Sequence, residues 1–531
     1  MTNTTVQESS RAGLALVLIA LAVALAFRVP DLKLKPFHGD EANQAYKAGK
    51  ILLETGVYTY DPIEHHGPTI YYLALPAAWL TTDGTFAGTV EATYRIVPVL
   101  FGAVIVLLLL PLRTALGNRA TFIAALLTAT SPAMVYYSRY YIQEMLLVFF
   151  AFGAIAAGWR YTQRPSLSAA IAGGLCIGLA HASKETCVLA FASYVGAGMC
   201  TVGWSRLRDG KGDTRADLNC IRARHAALCA IAAASVSVLF FSSFFTHWRG
   251  VLDSVLTYAN YTNKAGSPHI HDKPWHYYLQ MLLFTRNAPY PWFSEALILA
   301  LGALGIRVAL SAKRSHTPHA NLLRFLAFYT LGMTAVYSII PYKTPWCALN
   351  FLQPLIVMAG VGADALIRGL RLRAWRVGVS TLLALLAGQL AWQAYLACYV
   401  YHSDVRNPYV YGHTSSAIKR LEERLDQIAA VSPEGYDTLA GVLSPTRDYW
   451  PLPWYLRKFD RVGFWDTLPP EAGAPIYSAP IVIASSSIAR ELNAKLPGDY
   501  HSEMHALRPG VLLTVFIRTD LWEAFMATRV R

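Results

Sequence analysis

The chain has 531 residues, of which 54% are hydrophobic and only 15% are charged, whereas a soluble domain carries roughly 25% charged residues. Together with a mean hydropathy of +0.33, this composition excludes an ordinary soluble protein and indicates that lipid surrounds most of the chain. The formal net charge of +13 is explained by where Lys and Arg lie.

Apolar runs predict about eleven transmembrane helices between Gly13 and Tyr399, since a hydrocarbon core about 30 Å thick needs roughly 20 apolar residues per helix. The runs lie near residues 12–29, 93–112, 120–137, 143–159, 168–181, 187–204, 225–245, 292–311, 322–340, 347–367 and 377–399. The first run ends in Ala24-Leu25-Ala26, which is similar to a signal-peptide cleavage site. We expect it to remain as an anchor, because the loop that follows makes sense only if the chain stays attached beside it.

Lys and Arg alternate between the loops as the positive-inside rule requires. With the N-terminus inside, the cytoplasmic loops hold several cations each, namely Arg113, Arg119, Arg160, Arg164, Arg206, Arg208, Lys211, Arg215, Arg222, Arg224, Lys313, Arg314, Arg368, Arg371, Arg373 and Arg376. The short outer loops hold one cation each: Arg139, Lys184 and Lys343. The positive charge therefore reflects membrane topology, and nucleic acid is excluded as a partner.

The sequence predicts an α-helical polytopic membrane protein with a C-terminal extracytoplasmic α/β domain, divided into a transmembrane domain at 1–400 and a soluble domain at 401–531. From His402 onward, 14 Lys or Arg stand against 15 Asp or Glu, and apolar spans stop. Residue patterns predict a helix at 415–430 and strands at 439–442, 481–484, 500–507 and 511–518. An odd number of spans places this domain outside. The chain lacks a Gly-rich phosphate loop, CxxC and HExxH, so nucleotide hydrolysis and the common zinc peptidase sites find no support.

The first outer loop, residues 30–92, is predicted to contain a helix at 40–54 and an amphipathic helix at 69–80. The second is too short to span a bilayer, so we expect it to lie in the membrane interface. Asp40 and Glu41 begin the first helix. They are either an N-cap with a dipole partner, or functional acids, because tandem acids at a membrane surface are costly unless they are solvated or used.

Five polar motifs fall on the predicted outer side. They are His38-Gly39-Asp40-Glu41, Glu64-His65-His66-Gly67-Pro68, Ser138-Arg139-Tyr140-Tyr141-Ile142-Gln143-Glu144, Ser183-Lys184-Glu185 and Pro341-Tyr342-Lys343-Thr344-Pro345-Trp346. Acids, cations and aromatics on one face of a bundle suit a polar sugar attached to a lipid phosphate. A carboxylate can take the proton of an acceptor hydroxyl, and cations can stabilise a leaving phosphate. The alternative for each cation is an anchor at a helix end, and for Glu144 a carboxylate that complements a helix dipole.

With these motifs, the chain resembles the GT-C class of polytopic glycosyltransferases, which includes protein O-mannosyltransferases and the aminoarabinose transferase of lipid A. It is most similar to the Agl23-like subfamily, through the motifs above together with Asn407-Pro408-Tyr409-Val410-Tyr411 and Trp450-Pro451-Leu452-Pro453-Trp454-Tyr455. The resemblance implies an inverting glycosyltransferase that moves a hexosyl or pentosyl group from a polyprenyl-phosphate-linked donor to a glycan, lipid or protein acceptor at the outer face of the cell membrane. It implies that Asp40 is the catalytic acid or base, with Glu41 beside it. The expected substrate-binding residues are His38, His66, Arg139, Glu144, Lys184, Lys343 and Trp346.

Glu64 and His65 raise the question of a metal ion. With a further histidine from the loop at 246–291, which offers His269, His271 and His276, they have the side chains that bind Zn²⁺ or another divalent ion. The aminoarabinose transferase uses a Glu of this loop as a metal ligand, whereas protein O-mannosyltransferases work without a metal. We therefore expect no required cofactor and leave a divalent metal ion at Glu64 and His65 as the alternative.

A second hypothesis is a transporter or flippase-associated protein for lipid-linked sugars. Transporters commonly contain internal repeats and broken helices at the bilayer midplane. The sequence shows no convincing repeat, and its ionisable residues cluster at the outer edge of the spans. This pattern favours the glycosyltransferase.

Overall fold

The computed structural model describes residues 3–63, 66–209, 222–265, 271–312, 319–446 and 448–529. The chain divides into two compact units. Unit 1 comprises residues 1–31, 57–73 and 95–411, and unit 2 comprises residues 32–56, 74–94 and 412–531. The boundary at 411/412 lies near the predicted one at 400/401, but two segments of the first outer loop group with the C-terminal residues.

Eight helices of the described residues are long and apolar enough to cross a membrane. They are Arg11–Arg28, Glu91–Leu109, Glu144–Gln163, Cys187–Asp209, Ala223–Phe241, Ala320–Ile339, Pro345–Gly369 and Arg373–Val400. Each lies at a predicted span, and the chain is a multi-pass membrane protein.

The three other predicted spans are also helical but differ in length or shape. Asn118–Thr130 and Pro132–Ser138 form a pair bent by 56°, which makes nine spans if it counts as one. The bend follows from Ser131-Pro132: proline begins the second helix, and the Ser131 hydroxyl accepts a hydrogen bond from the Met134 amide. Leu167–His181 and Ala296–Ser311 are shorter apolar helices. Of the eleven predicted spans, eight are long and apolar enough to cross a bilayer, and the bent pair makes a ninth if it counts as one span. The other two are helices shorter than a bilayer span.

The core of unit 1 surrounds the helix Leu349–Gly369, most of which is buried. The remaining helices of the unit outside the candidate spans are Arg113–Leu116, Arg249–Ala265 and Tyr277–Leu283. A short 3-10 turn, Pro345–Ala348, precedes the central helix. The polar motifs of unit 1 lie in the connections at the ends of these helices.

Unit 2 contains a five-stranded mixed sheet in the order β2-β1-β3-β5-β4. Its strands are β1 (Ala440–Leu443), β2 (Val462–Trp465), β3 (Ile481–Ser485), β4 (Tyr500–Arg508) and β5 (Val511–Arg518). β1 pairs in parallel with β2 and β3, while β5 pairs antiparallel with β3 and β4. The helices of the tail are Ile418–Val431, Leu452–Tyr455, Pro475–Ser478, Ala489–Asn493 and Thr519–Ala527. The α/β prediction is confirmed, and β2 is the strand that the sequence patterns did not indicate.

Unit 2 also holds the helix Gly39–Tyr46, which continues as a π-helix over Lys47–Leu53 and matches the helix predicted at 40–54. Phe37 fixes its entrance, because its ring lies 4.5 Å from that of Trp454 and its amide donates to the Tyr455 hydroxyl. Trp454 is fully buried. This tryptophan therefore packs in the core of unit 2.

Candidate active site

The acidic turn at the start of Gly39–Tyr46 is capped by His38. His38 has extended backbone angles, and its Nδ1 accepts a hydrogen bond of 3.0 Å from the Asp40 amide. The Glu41 carboxylate accepts in return a hydrogen bond of 3.1 Å from the His38 amide. This reciprocal pair is a capping box. The interpretation of Asp40 as the N-cap is therefore wrong, because histidine takes that position.

Asp40 and Glu41 occupy different environments although they are adjacent. Glu41 is fully buried, and its Oε2 lies 3.7 Å from the ammonium group of Lys35, which is also buried. The Asp40 side chain is 53% exposed and lies 3.7 Å from His38 Nδ1. Glu41 is thus held by structural contacts, whereas the Asp40 carboxylate is open to a ligand.

His38 is itself held by the C-terminal part of unit 2. Its ring stacks on that of His413, with centroids 5.9 Å apart. Gly412 has a φ of +55°, and a Cβ at that position would come within 3.4 Å of His38 Nε2. Glycine is favoured there because it adopts positive φ without a steric cost and leaves room for the ring.

In unit 1, His66 and Glu185 form an ion pair. His66 Nδ1 lies 2.8 Å from Glu185 Oε2, and Glu185 Oε1 accepts a longer hydrogen bond of 3.5 Å from the Tyr60 hydroxyl. Burial alone would raise the pKa of Glu185, but the adjacent His66 ring, together with a backbone hydrogen bond and Lys184, holds the pKa below its ordinary value. Burial and the Glu185 charge together raise the pKa of Tyr60, which therefore stays protonated.

The backbone after His66 approaches the loop that carries Glu185. The Thr69 amide and hydroxyl both donate to the Ala182 carbonyl, at 3.1 and 2.7 Å. A Cβ at Gly67 would lie 2.1 Å from the same oxygen. The His66-Gly67-Pro68 motif thus needs glycine for this close approach, and the approach brings the two predicted motifs together.

Lys184 and Glu144 form a second, buried ion pair in unit 1. Burial lowers the pKa of Lys184, but the charge and hydrogen bond of Glu144, together with Cys347 and Glu185, outweigh burial and raise the pKa above the ordinary value. Cys347 interacts electrostatically with both groups, so the 3-10 turn after Lys343 lies beside them. The pair brings together three of the predicted motifs, and each charge neutralises the other.

Lys343 lies in an antiparallel contact between residues 271–273 and 341–343. The Lys343 amide donates to the His271 carbonyl, and its ammonium group donates to the carbonyls of Lys273 and Ile340. Burial lowers the pKa of Lys343, with a smaller opposing effect from Asp272. Lys343 is therefore a buried cation that hydrogen-bonds to carbonyl dipoles.

Trp346 is buried in an aromatic cluster. Its ring centroid lies 6.2, 6.0 and 5.9 Å from those of Tyr137, Tyr140 and Tyr411. The Tyr411 hydroxyl hydrogen-bonds to the His271 ring. Trp346 therefore connects the Pro345–Ala348 turn to the end of the Asn407-Pro408-Tyr409-Val410-Tyr411 motif.

Arg139 anchors a helix end. Its guanidinium donates to the carbonyls of Arg28, Pro30 and Asp31 at 2.8, 2.6 and 3.1 Å, and to the Tyr399 hydroxyl at 3.0 Å. These carbonyls follow the end of the first helix, where unpaired acceptors and the helix dipole attract a cation. Arg139 is therefore an anchor at a helix end, which is the alternative that the sequence analysis left open.

The predicted metal ligands Glu64 and His65 lie outside the described residues, as does His269. Within the ranges that the structure describes, no group of three or more His, Cys, Asp or Glu side chains is arranged to hold a metal ion. His66, next along the chain, pairs with Glu185. The expectation about a metal stays a prediction.

Sequence reasoning did not select Glu185, Lys35, Tyr60 or His413 as site residues. Glu185 had a signal, because it follows Lys184 in a short outer loop between two apolar helices. Lys35 and His413 had none, since their partners Glu41 and His38 become neighbours only in the folded chain.

Comparison with known proteins agrees with this architecture. The family model for dolichyl-phosphate-mannose-protein mannosyltransferases matches residues 68–209, roughly a quarter of the chain. No curated protein matches the chain significantly.

Solved structures match over nearly the whole chain. ArnT from Cupriavidus metallidurans in the apo state is 15% identical, with a TM-score of 0.62 over 96% of this chain and 99% of ArnT. The same enzyme bound to undecaprenyl phosphate gives a TM-score of 0.58 at 15% identity, over 94% of this chain and 97% of ArnT. The oligosaccharyltransferase of Archaeoglobus fulgidus in the apo form gives 0.56 at 14% identity, over 93% of this chain and 69% of that protein. The chain has the GT-C fold.

Proposed function

We propose that the chain is an inverting GT-C glycosyltransferase that moves a sugar from a polyprenyl-phosphate-linked donor to an acceptor at the outer face of the cell membrane. The observation that carries the proposal is the Asp40 carboxylate, which His38 releases from helix capping and which is half exposed at the start of a fixed helix. The similarity to ArnT, solved with undecaprenyl phosphate, supports the lipid-phosphate donor. We assign the chain to the Agl23-like subfamily on its motifs.

In the proposed reaction, the Asp40 carboxylate accepts the proton of the acceptor hydroxyl. The acceptor oxygen bonds to the anomeric carbon from the side opposite the phosphate. The bond from that carbon to the phosphate oxygen breaks, and its electron pair leaves with the phosphate. Attack from the opposite side inverts the configuration at the anomeric carbon.

The leaving phosphate needs positive charge beside it. His66 suits this role, because Glu185 holds one of its ring nitrogens while its side chain remains 34% exposed. Lys184 and Lys343 are the other candidates, and each has first to exchange a present partner for the phosphate. Arg139 is already fully engaged, so we assign it a positioning role.

The proposal is tested by incubating the purified protein with several radiolabelled polyprenyl-phosphate sugars, hexoses and pentoses, in the presence of glycan, lipid and peptide acceptors. Release of carrier phosphate that depends on an acceptor and on Asp40 supports the proposal. Movement of an intact lipid-linked sugar across vesicles without phosphate release would instead identify a transporter. The sugar that supports release also decides between hexosyl and pentosyl transfer.

The same preparation tests the metal alternative. We propose that transfer needs no resident metal, so the rate in excess chelator stays at the untreated level. Loss of the rate on chelation, restored by one divalent ion and absent from Glu64→Gln, would assign Glu64 as a ligand.

Topology is tested separately by cysteine-accessibility labelling. We propose that position 40 and residues 401–531 lie outside the inner or plasma membrane, and that the loop at 205–224 lies inside. Labelling of the tail from the cytoplasmic side would contradict the outer-face site.

A further inference from the structure

A groove in unit 2 remains outside the proposed chemistry. It has a volume of about 820 Å³ and lies along β2 and the loop that follows it, lined among others by Phe464, Trp465, Asp466, Thr467, Pro469 and Glu471. Ligand pockets commonly have volumes of about 300–1,000 Å³. We call this feature the β2 groove.

The β2 groove lies at the carboxyl end of an edge strand. Strands β2, β1 and β3 run parallel, and β2 is at the edge of the sheet. Asp466 and Thr467 directly follow the carboxyl end of β2. Ligand contacts in open α/β sheets come from residues at this end of the parallel strands.

The indole of Trp465 packs against two paired glycines. Gly441 of β1 and Gly463 of β2 are register partners. A Cβ at Gly463 would lie 2.2 Å from the Trp465 ring, and one at Gly441 would lie 3.4 Å from it. Glycine inside a strand costs roughly 0.5–1 kcal/mol relative to alanine, and often marks a close approach of another group. Here the approaching group is the ring, which is packed on one side and partly exposed.

The loop after β2 is held in place before any ligand binds. The Tyr477 hydroxyl donates a hydrogen bond of 2.6 Å to the Pro469 carbonyl. Pro469 and Pro470 restrict the backbone beside it. A preorganised loop loses less conformational entropy when a ligand binds.

The chemistry of the lining selects a class of ligand. Of its described lining residues, two are carboxylates, Asp466 and Glu471, and none is Lys, Arg or His. Carboxylates accept hydrogen bonds from neighbouring hydroxyl groups, and an aromatic ring packs on an apolar face of C–H groups. A sugar ring presents both surfaces, and the described lining offers no cation to an anionic ligand.

We propose that the β2 groove is a carbohydrate-binding subsite for a neutral glycan, and that this glycan is the acceptor of the transferase. The acceptor assignment rests on the proposed function and on a connection within unit 2. The Phe464 ring of the groove lies 4.9 Å from the Tyr449 ring, and the next residue, Trp450, has its Cβ 3.6 Å from where a Cβ on Gly39, beside Asp40, would lie. The binding subsite itself depends on the groove alone.

The test is direct binding of mannotetraose, maltotetraose and cellotetraose to the full-length protein, measured by calorimetry. The protein is held in lipid nanodiscs, because glycoside detergents would occupy a sugar site. The double variant Asp466→Asn/Glu471→Gln removes both carboxylates and keeps the size of the two side chains. The variant Trp465→Phe keeps an aromatic ring against the two glycines. The control is Glu491→Gln, an exposed glutamate on the helix Ala489–Asn493.

At least one tetrasaccharide is expected to bind, with about tenfold lower affinity for the double variant, since a hydroxyl group donates a stronger hydrogen bond to a carboxylate than to a neutral amide oxygen. The control binds as the wild type does. Equal affinity in the double variant, or no tetrasaccharide binding at millimolar concentration, would overturn the subsite. Hexalysine is the comparison probe, and binding of this peptide alone would make the groove an acidic docking site instead.

A second arm separates this inference from the proposed function. In a transfer assay with a tetrasaccharide acceptor, the double variant should raise the acceptor KM and leave kcat and the donor KM unchanged. Transfer with an unchanged acceptor KM overturns the acceptor assignment. Absence of transfer to every acceptor contradicts the proposed function, while the binding result still decides the subsite.

Discussion

His38 and Glu41 together cap one helix end: His38 Nδ1 accepts a hydrogen bond from the Asp40 amide, and the Glu41 carboxylate accepts one from the His38 amide. Asp40 lies beside Glu41 in the chain, but its carboxylate has no part in the cap. We therefore expect a substitution of Glu41 to lower stability and a substitution of Asp40 to lower the reaction rate.

Replacing Asp40 with Asn is expected to remove activity without loss of stability. Loss of a positioned base costs about 10²- to 10⁴-fold in rate. The cap is unaffected, because it depends on the Asp40 amide and on the side chains of His38 and Glu41. Carrier-phosphate release and the unfolding temperature, measured on the same preparation, check both halves.

Glu41→Gln is the matched control. It keeps an acceptor for the His38 amide but removes the counter-charge of the buried Lys35, so we expect destabilisation of about 1–3 kcal/mol. The folded fraction should keep most of the rate. A wild-type rate in Asp40→Asn, or a larger rate loss in Glu41→Gln, would remove Asp40 from the chemistry.

Lys184 and Glu144 should behave as a coupled pair in a double-mutant cycle. Glu144→Gln leaves a buried ammonium group without its counter-charge, which costs about 3–5 kcal/mol in comparable pairs. Lys184→Met likewise leaves the buried Glu144 carboxylate without its counter-charge. The double variant should be less destabilised than the sum of the single variants, and thermal unfolding of all four proteins measures the difference. Additive losses would mean that the two groups are solvated separately.

Sequence patterns predicted the elements of this fold well, because they depend on local composition. All eleven apolar segments are helical, and the tail strands at 481–485 and 511–518 begin where the patterns placed them. β2 was missed because Val462–Trp465 is a short strand at the edge of the sheet and is only partly buried, whereas β1, equally short, is buried along its whole length. Its strand character comes from pairing with β1 and not from its own sequence.

The candidate site was predicted less completely, because ion pairs form between distant residues. The sequence showed cations at Arg139 and Lys184 but not their partners. Arg139 meets backbone carbonyls near residue 30, and Lys184 meets a carboxylate 40 positions earlier. Which cation is neutralised and which is exposed follows only from this packing.

Arg139→Gln is expected to reduce stability and to leave the donor KM unchanged. The guanidinium donates to three carbonyls after the first helix, and a glutamine amide reaches fewer of them. We expect a loss of about 2 kcal/mol, from one or two hydrogen bonds to a charged donor. Unfolding temperature and donor KM are measured together. A large rise in donor KM with normal stability would return Arg139 to the phosphate site.

The His66–Glu185 pair should make stability depend on pH in the acid range. The pKa of Glu185 is below its ordinary value in the folded chain. Burial raises this pKa, but the His66 ring, a backbone hydrogen bond and Lys184 together lower it by more. The stabilisation is therefore complete above the unfolded pKa of about 4.3, and is lost as the pH falls through the folded pKa. The difference in unfolding temperature between the wild type and Glu185→Gln should be largest at neutral pH and shrink below about pH 4.3. Glu491→Gln, at an exposed glutamate far along the chain, is the control for the substitution itself. A difference of the same size at every pH would mean that Glu185 acts only through its shape and hydrogen bonds, and that its charge does not orient His66.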